Sequence, residues 1–221
     1  MASSTVARRF ARAGITLAFV AGIGLIWLRT GAGWTPSEAS TSPSTSGTVL
    51  VVNADRPLPD DFAVPDLVPL VNKVPVADKQ VLIATKVERP LRRLFTAARK
   101  AGHTRLYVAS GYRTAEEQQQ LWDAAEDKSF VQRPGHSEHQ TGLAVDLADL
   151  KVGQGKFGAS KAGRWLARNA WRYGFILRYP AGKEQVMGIS YEPWHYRYVG
   201  TAVAKACHQG HLVLEEYVAA H

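Results

Sequence analysis

Residues 134–150 read PGHSEHQTGLAVDLADL. The second half, GLAVDLADL, alternates in the manner of a strand. The first half crowds His136, Ser137, Glu138 and His139 behind a Pro-Gly turn. Side chains of that polarity do not build a core. His139 and Asp146 stand seven residues apart, so in one straight strand they would face opposite sides of a sheet. Gly142 lies between them and permits a turn or bulge that turns both to one side. The stretch therefore demands a sheet with an irregular entry, and a use for the side chains gathered there.

A second cluster, Glu192-Pro193-Trp194-His195, lies far downstream. Zinc takes neutral imidazole and carboxylate oxygen, and a catalytic zinc site offers three protein ligands plus water. His139, Asp146 and His195 supply such a set. Glu192 is left over, and a glutamate beside the water of such a site is a general base. Its spacing from His195 differs from the helical H-E-x-x-H arrangement and suits a loop-to-strand junction around Pro193. A third feature, SGYRTAEEQ at 110–118, sits where a strand gives way to a helix. Arg113 in it can clamp a carboxylate or stabilise an oxyanion. Taken singly, each feature is matched by ordinary hydrogen-bonded or surface residues; together they favour a site.

The periodicities predict an α+β fold with a mainly antiparallel sheet and flanking helices, since helices and strands alternate without a regular βαβ rhythm. TVLVVNA, RLYVASG, GLAVDLADL, FILRYP and WHYRYVG read as strands. VERPLRRLFTAARKAG reads as a helix with Leu91, Leu94, Phe95 and Ala98 on one face, ended by Gly102. Thr114 is the expected N-cap of AEEQQQLWDAAED, with Glu117 completing a capping box. SKAGRWLARNAWRYGF is a further amphipathic helix, AGKEQVMGIS a loop, and the tail after Gly200 two short helices.

The N-terminus is of another kind. Arg8, Arg9 and Arg12 precede an uncharged apolar run, Gly14–Leu28. The run is short for a full membrane span and lacks a clear A-x-A cleavage site, so residues 1–34 read as a signal-anchor or a signal peptide, with Arg8-Arg9 a weak hint of a twin-arginine signal. Residues 35–47, rich in Ser, Thr and Pro, form a linker that cannot pack, and the folded domain is expected to span 48–221. Every export reading puts that domain outside the cytoplasm, membrane-anchored and facing the periplasm or cell wall, or secreted after cleavage. The net charge of +8 comes from 27 Lys and Arg against 19 Asp and Glu, and four of the cations lie in the first 34 residues. The remaining excess forms no Lys/Arg block of the kind that marks a nucleic-acid surface, though it suits an acidic polymer or an anionic membrane as neighbour. The single cysteine, Cys207, excludes an intrachain disulfide and reads as a small buried helix residue.

The chain closely resembles the VanY-type D-alanyl-D-alanine carboxypeptidases, zinc peptidases that trim peptidoglycan stem peptides. VVNADRPLPDDF, SGYRTAEEQ, GHSEHQTGLAVDL, YGFILRYPAGKE and YEPWHYRYVG carry the resemblance, in the family's order, across most of residues 49–200. It implies zinc on His139, Asp146 and His195, Glu192 as catalytic base acting on the zinc-bound water, and Arg113 on the substrate or the developing oxyanion. Ser137 and Gln118 match positions that line the substrate cleft. The implied partners are a stem-peptide substrate and the membrane through the N-terminal segment, with no nucleic acid and no obligate protein partner. The same residues would serve an L,D-carboxypeptidase or a peptidoglycan endopeptidase; an inactive wall-binding module is disfavoured by the intact Glu192. The stretch VNKVPVADKQVLIATKVERP has little of the family's character, and the tail beyond Gly200 lies outside the match. His136 and Glu138 flank the first cluster, where a residue can orient a ligand imidazole.

Overall fold

The structure is a computed structural model and describes residues 49–221. The apolar segment 14–28 and the linker 35–47 lie outside the described residues. Among the described residues no helix is long and apolar enough to cross a membrane.

A short antiparallel pair comes first: β1 (Leu67–Pro69) against β2 (Leu82–Ala84). β2 runs directly into α1 (Thr85–Lys100), whose Val87, Leu91, Leu94, Phe95 and Ala98 are buried at helical spacing. The main sheet has four strands in the order β3 (Leu106–Ser110), β4 (Ala144–Asp149), β6 (Glu192–Tyr198), β5 (Phe175–Tyr179), and every pairing is antiparallel. Between β3 and β4 lie α2 (Ala115–Ala124) and two 3-10 turns, Lys128–Phe130 and Glu138–Thr141. α3 (Lys161–Asn169) continues as a 3-10 turn, Ala170–Tyr173, into β5, and α4 (Glu184–Met187) lies between β5 and β6. α5 (Thr201–Gly210) and α6 (Leu214–Ala220) close the chain. The mixed helix and antiparallel-sheet architecture is the one the periodicities predict.

The two faces of the sheet differ in kind. Alternate residues of a strand point to opposite faces. Val108, Val145, Leu147, Phe175 and Tyr196 join Leu91 and Leu94 of α1 and Leu166 of α3 in the main apolar core. On the other face Ile176 packs with Ala204, Cys207 and Leu214 of the tail helices and with Val51 of the entry segment. The same face presents Asp146, His195 and Arg197, all buried.

Thr114 caps α2 with the full capping box: its side chain accepts from Glu117 N, and Glu117 accepts from Thr114 N. Cys207 is free and buried in α5. Two local expectations are corrected, and one element was missed. TVLVVNA is not a strand over its described residues 49–54; it is extended chain that buries Val51 and Val52 without a ladder. The AGKEQVMGIS loop contains the single helical turn of α4, which buries Met187. The β1–β2 pair went unread because three-residue strands offer too few alternations to register a period.

Candidate metal centre

His139 sits in the 3-10 turn Glu138–Thr141, which ends at Gly142 in the left-handed region at φ 67°. A Cβ at Gly142 would come within 3.1 Å of Leu67 Cδ2 and 3.2 Å of Ala84 N, so glycine serves both the turn and the close approach of β1 and β2. This is the irregular entry that the His139–Asp146 spacing requires. Nδ1 of His139 donates to the Gly111 carbonyl at 2.6 Å. Gly111 is itself held against β2, where a side chain would collide with the Leu82 carbonyl oxygen. The acceptor is therefore fixed by backbone on both sides, and Nε2 of His139 is left to face Asp146.

Asp146 and His195 are direct cross-strand partners in β4 and β6. Glu192 lies three residues before His195 and would alternate to the opposite face in a regular strand. It does not, because the ladder slips: Leu177 pairs with Tyr196 and Tyr179 with Glu192, two steps along β5 against four along β6. The extra residues around Pro193 bring the Glu192 carboxylate to the side of His195. The sequence places this pair at a loop-to-strand junction, and Glu192 is the first residue of β6.

His139, Asp146 and His195 each offer a ligand atom, and these atoms lie within 4.8 Å of one another. His139 Nε2 is 3.4 Å from Asp146 Oδ2, and His195 Nδ1 is 3.2 Å from Asp146 Oδ1. The two imidazoles meet edge to face at 4.9 Å. Glu192 Oε2 stands 3.7 Å from His195 Nδ1. Asp146 Oδ1 is buried and accepts no well-aligned hydrogen bond, which a buried carboxylate oxygen tolerates poorly. Two imidazoles and a carboxylate with an unsatisfied oxygen fit a divalent ion of the zinc type.

The electrostatics agree with that fit. Burial, reinforced by the Arg113 charge, lowers His139 to about 4, so its ring is neutral and a ready ligand. Burial opposes charge on Asp146, but His139 and His195 outweigh it and hold the carboxyl below the usual range. Burial likewise opposes charge on His195, yet hydrogen bonding to Asp146 and Glu138 pushes it up to about 9. Ligation needs the neutral ring, so a metal ion competes with a proton at His195. Burial raises Glu192 to about 8, moderated by His195 and Arg113.

The remaining residues singled out from sequence divide. Arg113 is half-buried, its Nε has no partner, and it feels the charges of Asp146 and Glu192. Ser137 is buried at the start of the 3-10 turn that carries His139. Gln118 is buried in α2, where Nε2 donates to the Gln132 carbonyl at 2.5 Å and Oε1 has no partner. Of the two flanking residues, His136 turns away and bonds the Asn53 carbonyl at 2.8 Å. Glu138 turns in: its Oε2 lies 3.3 Å from His195 Nε2. Its Oε1 accepts from Arg178 Nε and from Arg197 Nη1, both at 2.8 Å. Sequence reasoning missed both arginines. The available signal was their place in β5 and β6, on the same alternation as Ile176 and His195.

The family model for VanY, D-alanyl-D-alanine carboxypeptidase, matches residues 80–201. The chain belongs to the VanY family. Among VanY-type relatives, the D-alanyl-D-alanine carboxypeptidase of Enterococcus faecalis is 41% identical over 77% of this chain and 65% of its own length. The bifunctional D-Ala-D-Ala dipeptidase and carboxypeptidase VanXYC of Enterococcus gallinarum is 37% identical over 77% of this chain and 93% of its own. The chain spans only 57% of the D-alanyl-D-alanine carboxypeptidase of Enterococcus faecium. Two solved structures bear on the site. A VanY D,D-pentapeptidase mutant in complex with Zn(II) matches at a TM-score of 0.64 and 37% identity, covering 76% of this chain and 97% of that one. The LD-carboxypeptidase LdcB matches at 0.68 and 38%, covering 76% and 83%.

Proposed function

We propose that this chain is a zinc-dependent D-alanyl-D-alanine carboxypeptidase that trims peptidoglycan stem peptides. The observation that carries the reading is the convergence of His139, Asp146 and His195, with Glu192 Oε2 3.7 Å from His195 Nδ1, in a chain of the VanY family. The Zn(II) complex of a family member supports zinc as the ion. When bound, zinc supplies Lewis acidity toward a water molecule and a substrate carbonyl.

The chain's own residues do the rest. His139 Nε2, one oxygen of Asp146 and His195 Nδ1 would hold the ion, because Gly111 and Glu138 occupy the other ring nitrogens. Glu192 accepts the proton of the attacking water at its carboxylate and returns it to the leaving amine. Arg113 supplies a fixed guanidinium for the substrate's terminal carboxylate or for the oxyanion of the tetrahedral intermediate. Ser137 and Gln118 contribute to the cleft wall. The N-terminal segment 1–34 exports the chain and holds it at the membrane, with the catalytic domain, 48–221, facing the periplasm or cell wall.

An L,D-carboxypeptidase is the second reading, favoured by the likeness to LdcB, which is as strong as that to the D,D enzymes. Mass spectrometry of stem peptides separates them. Incubation with a pentapeptide ending in D-Ala-D-Ala should release one D-alanine, and the tetrapeptide product should then persist. Further loss of D-alanine from the tetrapeptide establishes the L,D activity instead. Equal cleavage of C-terminally amidated or crosslinked peptides would sink the carboxypeptidase reading in favour of an endopeptidase.

A further inference from the structure

We propose that Glu215, in the tail helix α6, is a positioning residue of the metal centre, acting through Arg178 and Glu138 on the ring of His195. The proposal rests on the metal reading of His139, Asp146 and His195 and extends it to a part of the chain beyond the family match, which ends at residue 201.

The contacts form an unbroken chain. His195 Nε2 meets Glu138 Oε2 at 3.3 Å, and Glu138 Oε1 accepts from Arg178 Nε at 2.8 Å. The two terminal nitrogens of Arg178 donate to Glu215, Nη1 to Oε2 at 2.8 Å and Nη2 to Oε1 at 2.6 Å. This is the two-pronged fork that fixes a guanidinium in its plane. Asn53 Nδ2 donates to Glu215 Oε1 at 2.8 Å and fixes that carboxylate in turn. The second arginine on Glu138, Arg197, sends Nη2 to the Leu50 carbonyl at 3.0 Å. Arg178 is 0% exposed, Arg197 and Glu138 1%, and Glu215 9%.

The charges explain why Glu215 matters at a distance. Two buried guanidiniums face two buried carboxylates, so the group is neutral as a whole. Both arginine bonds fall on Glu138 Oε1, which leaves Oε2 to His195 alone. Loss of the Glu215 charge strands part of Arg178 in the interior, where an unpaired charge is strongly unfavourable. The nearest anion that can answer it is Glu138. A carboxylate drawn further onto Arg178 no longer holds the His195 ring, and a metal ligand whose orienting partner is lost binds the ion more weakly. The adjacent residue gives the contrast. Glu216 pairs with Lys183 at 2.5 Å near the surface and has no link to the centre.

A purely structural role for α6 predicts lost stability alone; the proposal predicts a changed metal. The test uses the full chain with Glu215→Gln, Glu215→Asp and Glu216→Gln. Zinc affinity is read by competition with a chromophoric chelator, the ligand field from the absorption of the cobalt-substituted protein, and the fold by near-UV circular dichroism. Glu215→Gln should lower zinc affinity about 10–100-fold and alter the cobalt spectrum. Glu215→Asp, which keeps the charge one methylene short, should show a smaller loss, and Glu216→Gln none. If Glu215→Gln does not fold, Glu215→Asp decides. Wild-type affinity and spectrum in whichever variant folds overturn the proposal. Failure of both to fold makes Glu215 a residue of the fold and overturns it also. A wild-type chain that binds no zinc removes the metal reading and this proposal together, whereas wild-type binding with an unmoved Glu215→Gln removes the proposal alone.

Discussion

The two faces of the four-stranded sheet are buried to similar depth but are built on opposite terms. Val145, Leu147 and Tyr196 point to one face and meet α1 and α3 in an apolar core. Asp146, His195 and Arg197, their immediate neighbours in the same two strands, point to the other and meet charge. The apolar face is held by area removed from water, a force without direction. The charged face is held by hydrogen bonds that each require a partner in one place, because a buried ion without one is costly. One strand thus carries a tolerant face and an exacting one, a single residue apart. The first supplies stability and the second spends some of it on chemistry.

That division can be broken at three points. The largest effect belongs to Glu192→Gln. The amide keeps the side chain's size but cannot take the water's proton, so turnover should fall by ~10²–10⁴ while bound zinc and the melting temperature stay near wild type. Steady-state release of D-alanine beside metal analysis checks it; an active variant would mean that another group is the base. On the opposite face, Leu147→Ala should cost about 2–5 kcal/mol of stability, since Leu147 is fully buried and the site closes only partly round the void. In the variant that remains folded at low temperature, zinc affinity should be unchanged. Denaturant melts beside chelator competition test this, and a weakened metal would show that the faces are coupled through β4. The smallest effect is that of Glu216→Gln, at the surface, worth ~0.2–1 kcal/mol. The Lys183 bond holds the Glu216 carboxyl below the usual range, so its contribution is present above the unfolded carboxylate pKa and fades as pH falls through the folded one. Urea midpoints at neutral and acid pH should converge for variant and wild type; a gap that widens in acid would reverse the sign.

The tolerant face was the more legible in sequence. Alternation in GLAVDLADL and the Leu91, Leu94, Phe95, Ala98 spacing report burial directly, and the Thr114–Glu117 box marks a helix start. His139, Asp146, His195 and Glu192 were legible because their chemistry is rare in combination. What holds them was not. FILRYP puts Arg178 on the alternation of Ile176 but does not say which charges it meets there, and nothing in VLEEYVAAH distinguishes the buried Glu215 from the half-buried Glu216. The ladder slip that re-aims Glu192 is equally silent, since a bulge depends on the partner strand and not on the strand that contains it.

The bond between Asn53 and Glu215 joins positions 162 residues apart, near the two ends of the described chain. Contacts of such separation form late, because a long loop must close before they return anything. The apolar core has most of its residues once β6 is made, but the buried charges balance only after the chain has been completed to residue 215. A chain that stops before residue 215 therefore has the three ligands but lacks the carboxylate that pairs with Arg178. The last stretch to be synthesised thus supplies the partner that fixes Asn53 in the entry segment.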